Sequence, residues 1–152
     1  MEDINASREK IIMSSLNQNI KEGVLALTAD GSTIKFASLT NISQANPQEY
    51  QMLLDMQSGG YIEFSSNNQQ PRTADFTLSN CDISHFELMN VLFEDRKKEF
   101  NLVFSMSDGS TITYENPRIK KQPMNDSINE SERSFNIMFS INSTKIKYNF
   151  KK

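Results

Sequence analysis

The chain has 152 residues, with 16 Lys+Arg against 19 Asp+Glu, a formal net charge of −3 and 37% hydrophobic residues. That is the size of one ordinary domain, able to bury roughly 70% of the surface its unfolded form exposes. A single Cys (Cys81) and a single His (His85) exclude an intrachain disulfide and a Cys/His zinc site built by one chain, so neither a metal nor a cofactor is expected. The acidic balance lacks the basic field that captures nucleic acid by phosphate neutralisation. Apolar runs of at most about four residues fall far short of the roughly 20 of a membrane helix. The start Met1-Glu2-Asp3 is wrong for a signal peptide. The sequence therefore reads as a soluble chain made in the cytoplasm, with no membrane anchor.

Residues 7–22 place Ile12, Leu16 and Ile20 at i, i+4, i+8 spacing ahead of Gly23, a candidate helix stop. One narrow apolar stripe fits either a helix or an arm that orders against a neighbouring subunit. The organisation expected is thus an N-terminal helix or arm over 1–22 and a single β-rich domain over 23–152.

From Val24 the period becomes two. Val24-Leu-Ala-Leu-Thr28, Asp30-Gly31 and Thr33-Ile-Lys-Phe36 predict a hairpin on a turn that needs positive φ. The pentapeptide Asp-Gly-Ser-Thr-Ile recurs at 108–112 and predicts a second hairpin from Phe100 to Tyr114, by duplication or by independent use of the same turn chemistry. Between them, Asn46 to Gly60 carries the cap, first-turn Pro47 and Gly59-Gly60 stop of a short helix. Tyr61–Ser65 and Thr73–Ser79, joined by a polar turn over 66–71, predict a further hairpin with Ile62, Phe64, Ala74, Phe76 and Leu78 on its buried face.

Ser84-His-Phe-Glu87 predicts a capping box for a helix from about His85 to Lys97, with Arg96-Lys97-Lys98 at the negative end of its dipole. Residues 121–132 read as a long polar connection of the kind that makes contacts. Met124, Asn125 and Asp126 within it join Ile12, Leu16 and Ile20 as candidate subunit contacts. Phe135, Ile137, Phe139 and Ile141 then alternate on one face against Ser134, Asn136, Ser140 and Asn142. Ile146, Tyr148 and Phe150 fall on the opposite parity, which requires a bulge, a turn or a strand that changes sheets near Ser143-Thr144. The sum is a mainly β chain: an antiparallel β-sandwich or small barrel with one or two flanking short helices.

Catalytic chemistry finds little footing. Cys81 and His85 straddle a helix start, with no orienting residue or oxyanion motif in view, so Cys81 reads as a buried small residue and His85 as a surface one. Carboxylates are scattered, no phosphate loop, nucleophile elbow or His-Glu-x-x-His motif occurs, and all five glycines are used at turns or predicted helix ends. No catalytic residue is assigned and enzyme activity is not expected. Met52, Met89, Met106 and Met138 read as core packing. Lys145, Lys147, Lys151 and Lys152 read as charges that protect an edge strand.

The strand Ala74–Leu78, the helix around Phe86–Leu92, the hairpin Phe100–Tyr114 with its Asp108-Gly109 tip and the strand Ser134–Ile141 resemble, in order, length and amphipathic pattern, the tail tube proteins of bacteriophages and the related secretion-tube proteins. The resemblance covers a little over half the chain, from Tyr61 onward. It departs at the N-terminal 22 residues and at the Asn46–Gln57 helix, where that family more usually has an extended arm or a loop. It implies a β-sandwich or small barrel whose copies form hexameric rings that stack into a hollow tube, with DNA passing without specific binding. It also implies sheath, baseplate or tail-completion proteins as further partners, host cytoplasm as the place of assembly and the virion tail as the destination. An alternative from the residues alone is a monomeric β-barrel binding or adaptor module with a groove between sheet and helix.

Overall fold

The computed structural model describes residues 21–42, 60–66, 71–125 and 134–150. Within them the period-two segments become strands β1 (Lys21–Ala29), β2 (Ser32–Ile42), β3 (Gly60–Ser65), β4 (Arg72–Cys81), β5 (Phe100–Met106), β6 (Thr111–Glu115), β7 (Arg118–Ile119), β8 (Met124–Asn125), β9 (Phe135–Ser143) and β10 (Lys145–Phe150). A helix, α1, spans Ile83–Glu94. The strands form one antiparallel sheet in the order β3-β10-β6-β5-β1-β2-β4-β9-β7, with β8 also on β9.

Both Asp-Gly hairpins form, on different turns. Asp30 (φ 53) and Gly31 (φ 78) make a two-residue turn that pairs Ala29 with Ser32. At the second tip only Gly109 has positive φ, and the loop is longer: Met106 N–H donates to Ser110 O, and Ser110 N–H donates to the Asp108 carboxylate at 2.8 Å. The hairpins lie side by side because β1 pairs with β5. Gly23 is not a helix stop but a strand residue in that pairing. A Cβ there would lie 2.3 Å from Ser105 O and 2.8 Å from the Phe104 ring, so the strands meet closely only over a glycine. The strand itself begins at Lys21, two residues inside the segment expected to be helix or arm. The rest of that segment lies outside the described residues, as does the expected Asn46 helix up to Gly60, which opens β3.

The hairpin expected between Tyr61–Ser65 and Thr73–Ser79 does not form. β3 pairs with β10, and β4 pairs with β2 and β9. The reason is the parity switch after Ser143. β9 and β10 are one chain kinked at Thr144; Arg72 is opposite Ser143 and Ser65 is opposite Lys145. Ser66 N–H donates to Thr144 O at 2.8 Å beside the kink. β3 and β4 together line one side of the β9–β10 strand, which bends at a corner, and each lies in a different part of the sheet. The change of facing read from the sequence is this corner.

The corner folds the sheet over a shared interior. Phe76 of β4 meets Phe104 of β5, Tyr114 of β6 and Phe139 of β9 with ring centroids 6.3, 5.7 and 5.3 Å apart. β4 and β6 are four strands apart in the sheet order, so only a curled sheet brings these rings together. Ala74, Leu78 and Ile137 are buried as expected, and Phe64 packs against the core from the side. A bulge between Leu78 and Cys81, with Asn80 at φ 59, reverses the facing of β4 so that Cys81 is also buried.

α1 starts two residues earlier than Ser84 implied. The Asp82 carboxylate accepts from His85 N–H, and His85 Nδ1 accepts from Asp82 N–H, both at 3.1 Å. Asp82 is the cap because the bulge leaves its backbone extended (φ −118, ψ −178), the geometry from which a side chain reaches back to the third helical N–H. The helix ends at Glu94, so Arg96, Lys97 and Lys98 lie beyond its last turn. Lys98 instead reaches the tip of the first hairpin, 2.9 Å from the Asp30 carboxylate.

Candidate assembly surface

Alternation on a curled sheet leaves an outer face, and here that face has two characters. Across β2, β4, β9 and β8 the register places Leu39 beside Thr77, Thr77 beside Met138, and Met138 beside Met124. Val24 lies one pair further along β1, beside Ala37. Val24, Leu39, Met138 and Met124 are 44%, 38%, 38% and 60% exposed. They make an apolar band that is interrupted by Thr77 between Leu39 and Met138 and bordered by Glu22 opposite Leu39, denser than the isolated apolar residues that scatter over any protein surface.

Across β5, β6, β10 and β3 the same face is polar and charge-balanced. Lys147 lies between Glu63 on β3 and Thr113 on β6. Lys147 and Lys145 reach the Glu115 carboxylate at 2.5 and 3.4 Å. These two ammonium groups, Lys147 foremost, hold the Glu115 carboxyl below the usual carboxylate range. This corrects the reading of Lys145 and Lys147 as edge protection: β10 is an interior strand, and its lysines form a cross-strand ion pair.

The edges of the sheet differ as well. β7 and β8 lie in succession along the same side of β9 and form one interrupted edge. Exposed Lys120 and Lys121 and buried Pro123 fill the break, a combination that blunts strand pairing. At the other end, β3 pairs on one side with β10 and has no strand on its other side among the described residues. It carries neither Pro nor Lys, so among the described residues nothing blunts this edge against pairing.

Of the six candidate contact residues, Met124 and Asn125 are described. They form β8, a short strand inside what was expected to be a polar loop, because Met124 and Asn125 pair with Met138 and Ile137. Met124 is exposed and Asn125 half-buried. Ile12, Leu16, Ile20 and Asp126 lie outside the described residues. Sequence reasoning missed Val24 and Leu39, and assigned Met138 to the core. The parity of β9 was the available signal: Met138 shares its face with Asn136 and Ser140, not with Ile137 and Phe139.

Among the described residues the candidate nucleophile is shut away from solvent, and apolar side chains lie between helix and sheet. Cys81 is fully buried, and burial, reinforced by the Asp82 carboxylate, pushes its thiol up to about 11. A thiol so placed supplies no thiolate near neutral pH. His85 is half-buried rather than on the open surface, its ring edge-on to Phe36 at 5.0 Å. The space between helix and sheet is occupied by Met89, Leu92 and the Phe86–Phe135 ring pair.

No family model matches the chain, and no curated protein matches it. Among solved structures, one described as the structure of Hcp1 from Flavobacterium johnsoniae is similar, with 16% sequence identity and a TM-score of 0.40 over 85% of this chain and 99% of that one.

Proposed function

We propose that this chain is a non-enzymatic structural protein that self-assembles into rings, and that the rings stack into a hollow tube. The observation that carries the reading is the division of the sheet's outer face into an exposed apolar band and a charge-balanced polar half. A monomer gains nothing from an apolar band in water, whereas a subunit buries it against a neighbour. The polar half, with its Thr, Asn and paired Lys–Glu residues, suits the wall of a wet channel. A net charge of −3 discourages adhesion of a phosphate polymer moving through it. The open edge of β3 offers a joint by strand pairing, which removes the hazard that such an edge poses in solution.

The finer reading is a phage tail tube conducting DNA, assembled in the host cytoplasm and carried in the virion tail, with a secretion tube as the related form. Negative-stain electron microscopy of the purified protein, with light scattering for mass, tests the coarse reading. Rings or tubes are expected as concentration rises. A particle that stays at 17.4 kDa at every concentration overturns it and returns the chain to the monomeric binding class.

A further inference from the structure

We infer that Met124 and Met138 form an oxidation site, at which hydrogen peroxide converts both thioethers to sulfoxides and thereby loosens strand β8. The site belongs to the single subunit and does not depend on assembly. Of the eight methionines of the chain, Met89, Met106, Met124 and Met138 are described, and the fold gives them unequal access to solvent. Met89 is fully buried on the inner side of α1. Met106 is half-buried, and its Sδ accepts from the Lys21 ammonium at 4.0 Å, which ties up a sulfur lone pair that an oxidant would need. Met124 and Met138 are 60% and 38% exposed.

The thioether sulfur is itself the nucleophile, so its rate of oxidation follows its exposure. The sulfur attacks the O–O bond of the peroxide. One oxygen is transferred to sulfur as S=O, the other leaves as water, and the sulfur gives up the two electrons that reduce the peroxide. A thiol-dependent sulfoxide reductase reverses the step.

The position of the pair makes the step consequential. Met124 and Met138 are directly opposite across β8 and β9, which sets their Cβ atoms about 5 Å apart on the outer face. β8 has two residues and two pairings, Met124 with Met138 and Asn125 with Ile137. The second joins a polar side chain to one turned into the core, so the methionine pair is the apolar part of the attachment. Sulfoxidation replaces that contact by two polar, hydrated groups. The chain ahead of β8 is held independently, by Lys120 N–H donating to Ser140 O at 2.8 Å and by buried Pro123. The loosening is therefore confined to β8 and to the stretch of the β9 edge that it covers.

The test treats the full-length protein with dilute hydrogen peroxide, maps sulfoxide at each methionine by peptide mass spectrometry, and compares hydrogen exchange of oxidised and untreated protein. Met124 and Met138 are expected to oxidise on the order of tenfold faster than Met89 and Met106, and the four rates should converge when the protein is oxidised in urea. Exchange in peptides covering 124–125 is expected to rise about two- to fivefold, the range set by the loss of one cross-strand pair, with peptides covering Leu25 and Leu27 unchanged. The double variant Met124→Leu, Met138→Leu keeps an apolar pair without sulfur and should show no rise in exchange after the same treatment. Oxidation of Met89 or Met106 as fast as the pair overturns the site. Unchanged exchange at 124–125 once both sulfoxides have formed, or an equal rise in the leucine variant, overturns the coupling to β8.

Discussion

Among the described residues three buried hydroxyls have no hydrogen-bond partner, those of Thr40, Tyr114 and Ser143. Tyr114 is almost fully buried, and burial alone pushes its phenol well above the ordinary range. Its ring lies edge-on to Phe76, so the aromatic body contributes packing while the oxygen contributes a desolvation cost. Removing an unpartnered buried hydroxyl and keeping the ring is therefore neutral or favourable. Tyr114→Phe should hold or raise stability, by up to about 1 kcal/mol, read as the urea midpoint at unchanged slope. A clear loss of stability would show that the hydroxyl has a partner in solution. Phe76 is the opposite case: its ring carries no polar atom, stacks on Phe139 and meets Phe104 and Tyr114 edge-on.

Elements were legible wherever one residue determined the backbone locally. Asp30-Gly31 required a turn with positive φ, and the turn is there. The alternation of Phe135 to Ile141 required one buried face, and Ile137 is fully buried at its middle. Ile137→Asp accordingly places an unpaired charge among Leu78 and its neighbours. It should cost several kcal/mol, and a soluble, folded variant would refute the strand's facing. Legibility failed where a distant strand decided the outcome. Tyr61–Ser65 and Thr73–Ser79 have the pattern of a hairpin, but local sequence does not show that β9 and β10 each offer a better partner. Likewise Ser84 satisfied a capping pattern, but the bulge at Asn80 gave the cap to Asp82.

The β6–β10 pairing adds a pH dependence of known sign. Glu115 has a folded value held below its ordinary 4.5 by Lys147 and Lys145. Its contribution is therefore present above that value and is lost as pH falls through the lower folded value. Lys147 is raised by the same partner, so its share is present below its ordinary 10.5 and is lost only as pH rises through the higher folded value. Glu115→Gln should flatten the acid limb of a melting-temperature profile between about pH 5 and pH 3 and leave the neutral region nearly unchanged, because an exposed pair contributes little there. An acid limb identical to that of the unaltered protein would remove the ion pair from the account.

At the scale of the molecule, the bent β9–β10 strand fixes which surface is left for partners. Curling the sheet turns Phe76, Phe104, Tyr114 and Phe139 inward and commits every inward parity to one core. What remains outside is the polar half with its own internal charge pairing and the apolar band, which no described element covers. The sequence contained the residues of that band but not their adjacency: Leu39, Met138 and Met124 become neighbours only through the pairing of β2 with β4, β4 with β9 and β9 with β8. A joint built on the band should behave as apolar burial behaves and not as an ion-pair joint. Sodium chloride from about 0.05 to 0.5 M screens exposed charges, shortening their range below about 5 Å at the upper end. It should leave assembly unchanged, while sulfate, which favours burial of apolar surface, should promote it. Light scattering at fixed protein concentration across both salt series reads the difference. Dissolution of the assemblies in sodium chloride alone would move the joint from the apolar band to the charged half around Glu63, Glu115 and Lys147.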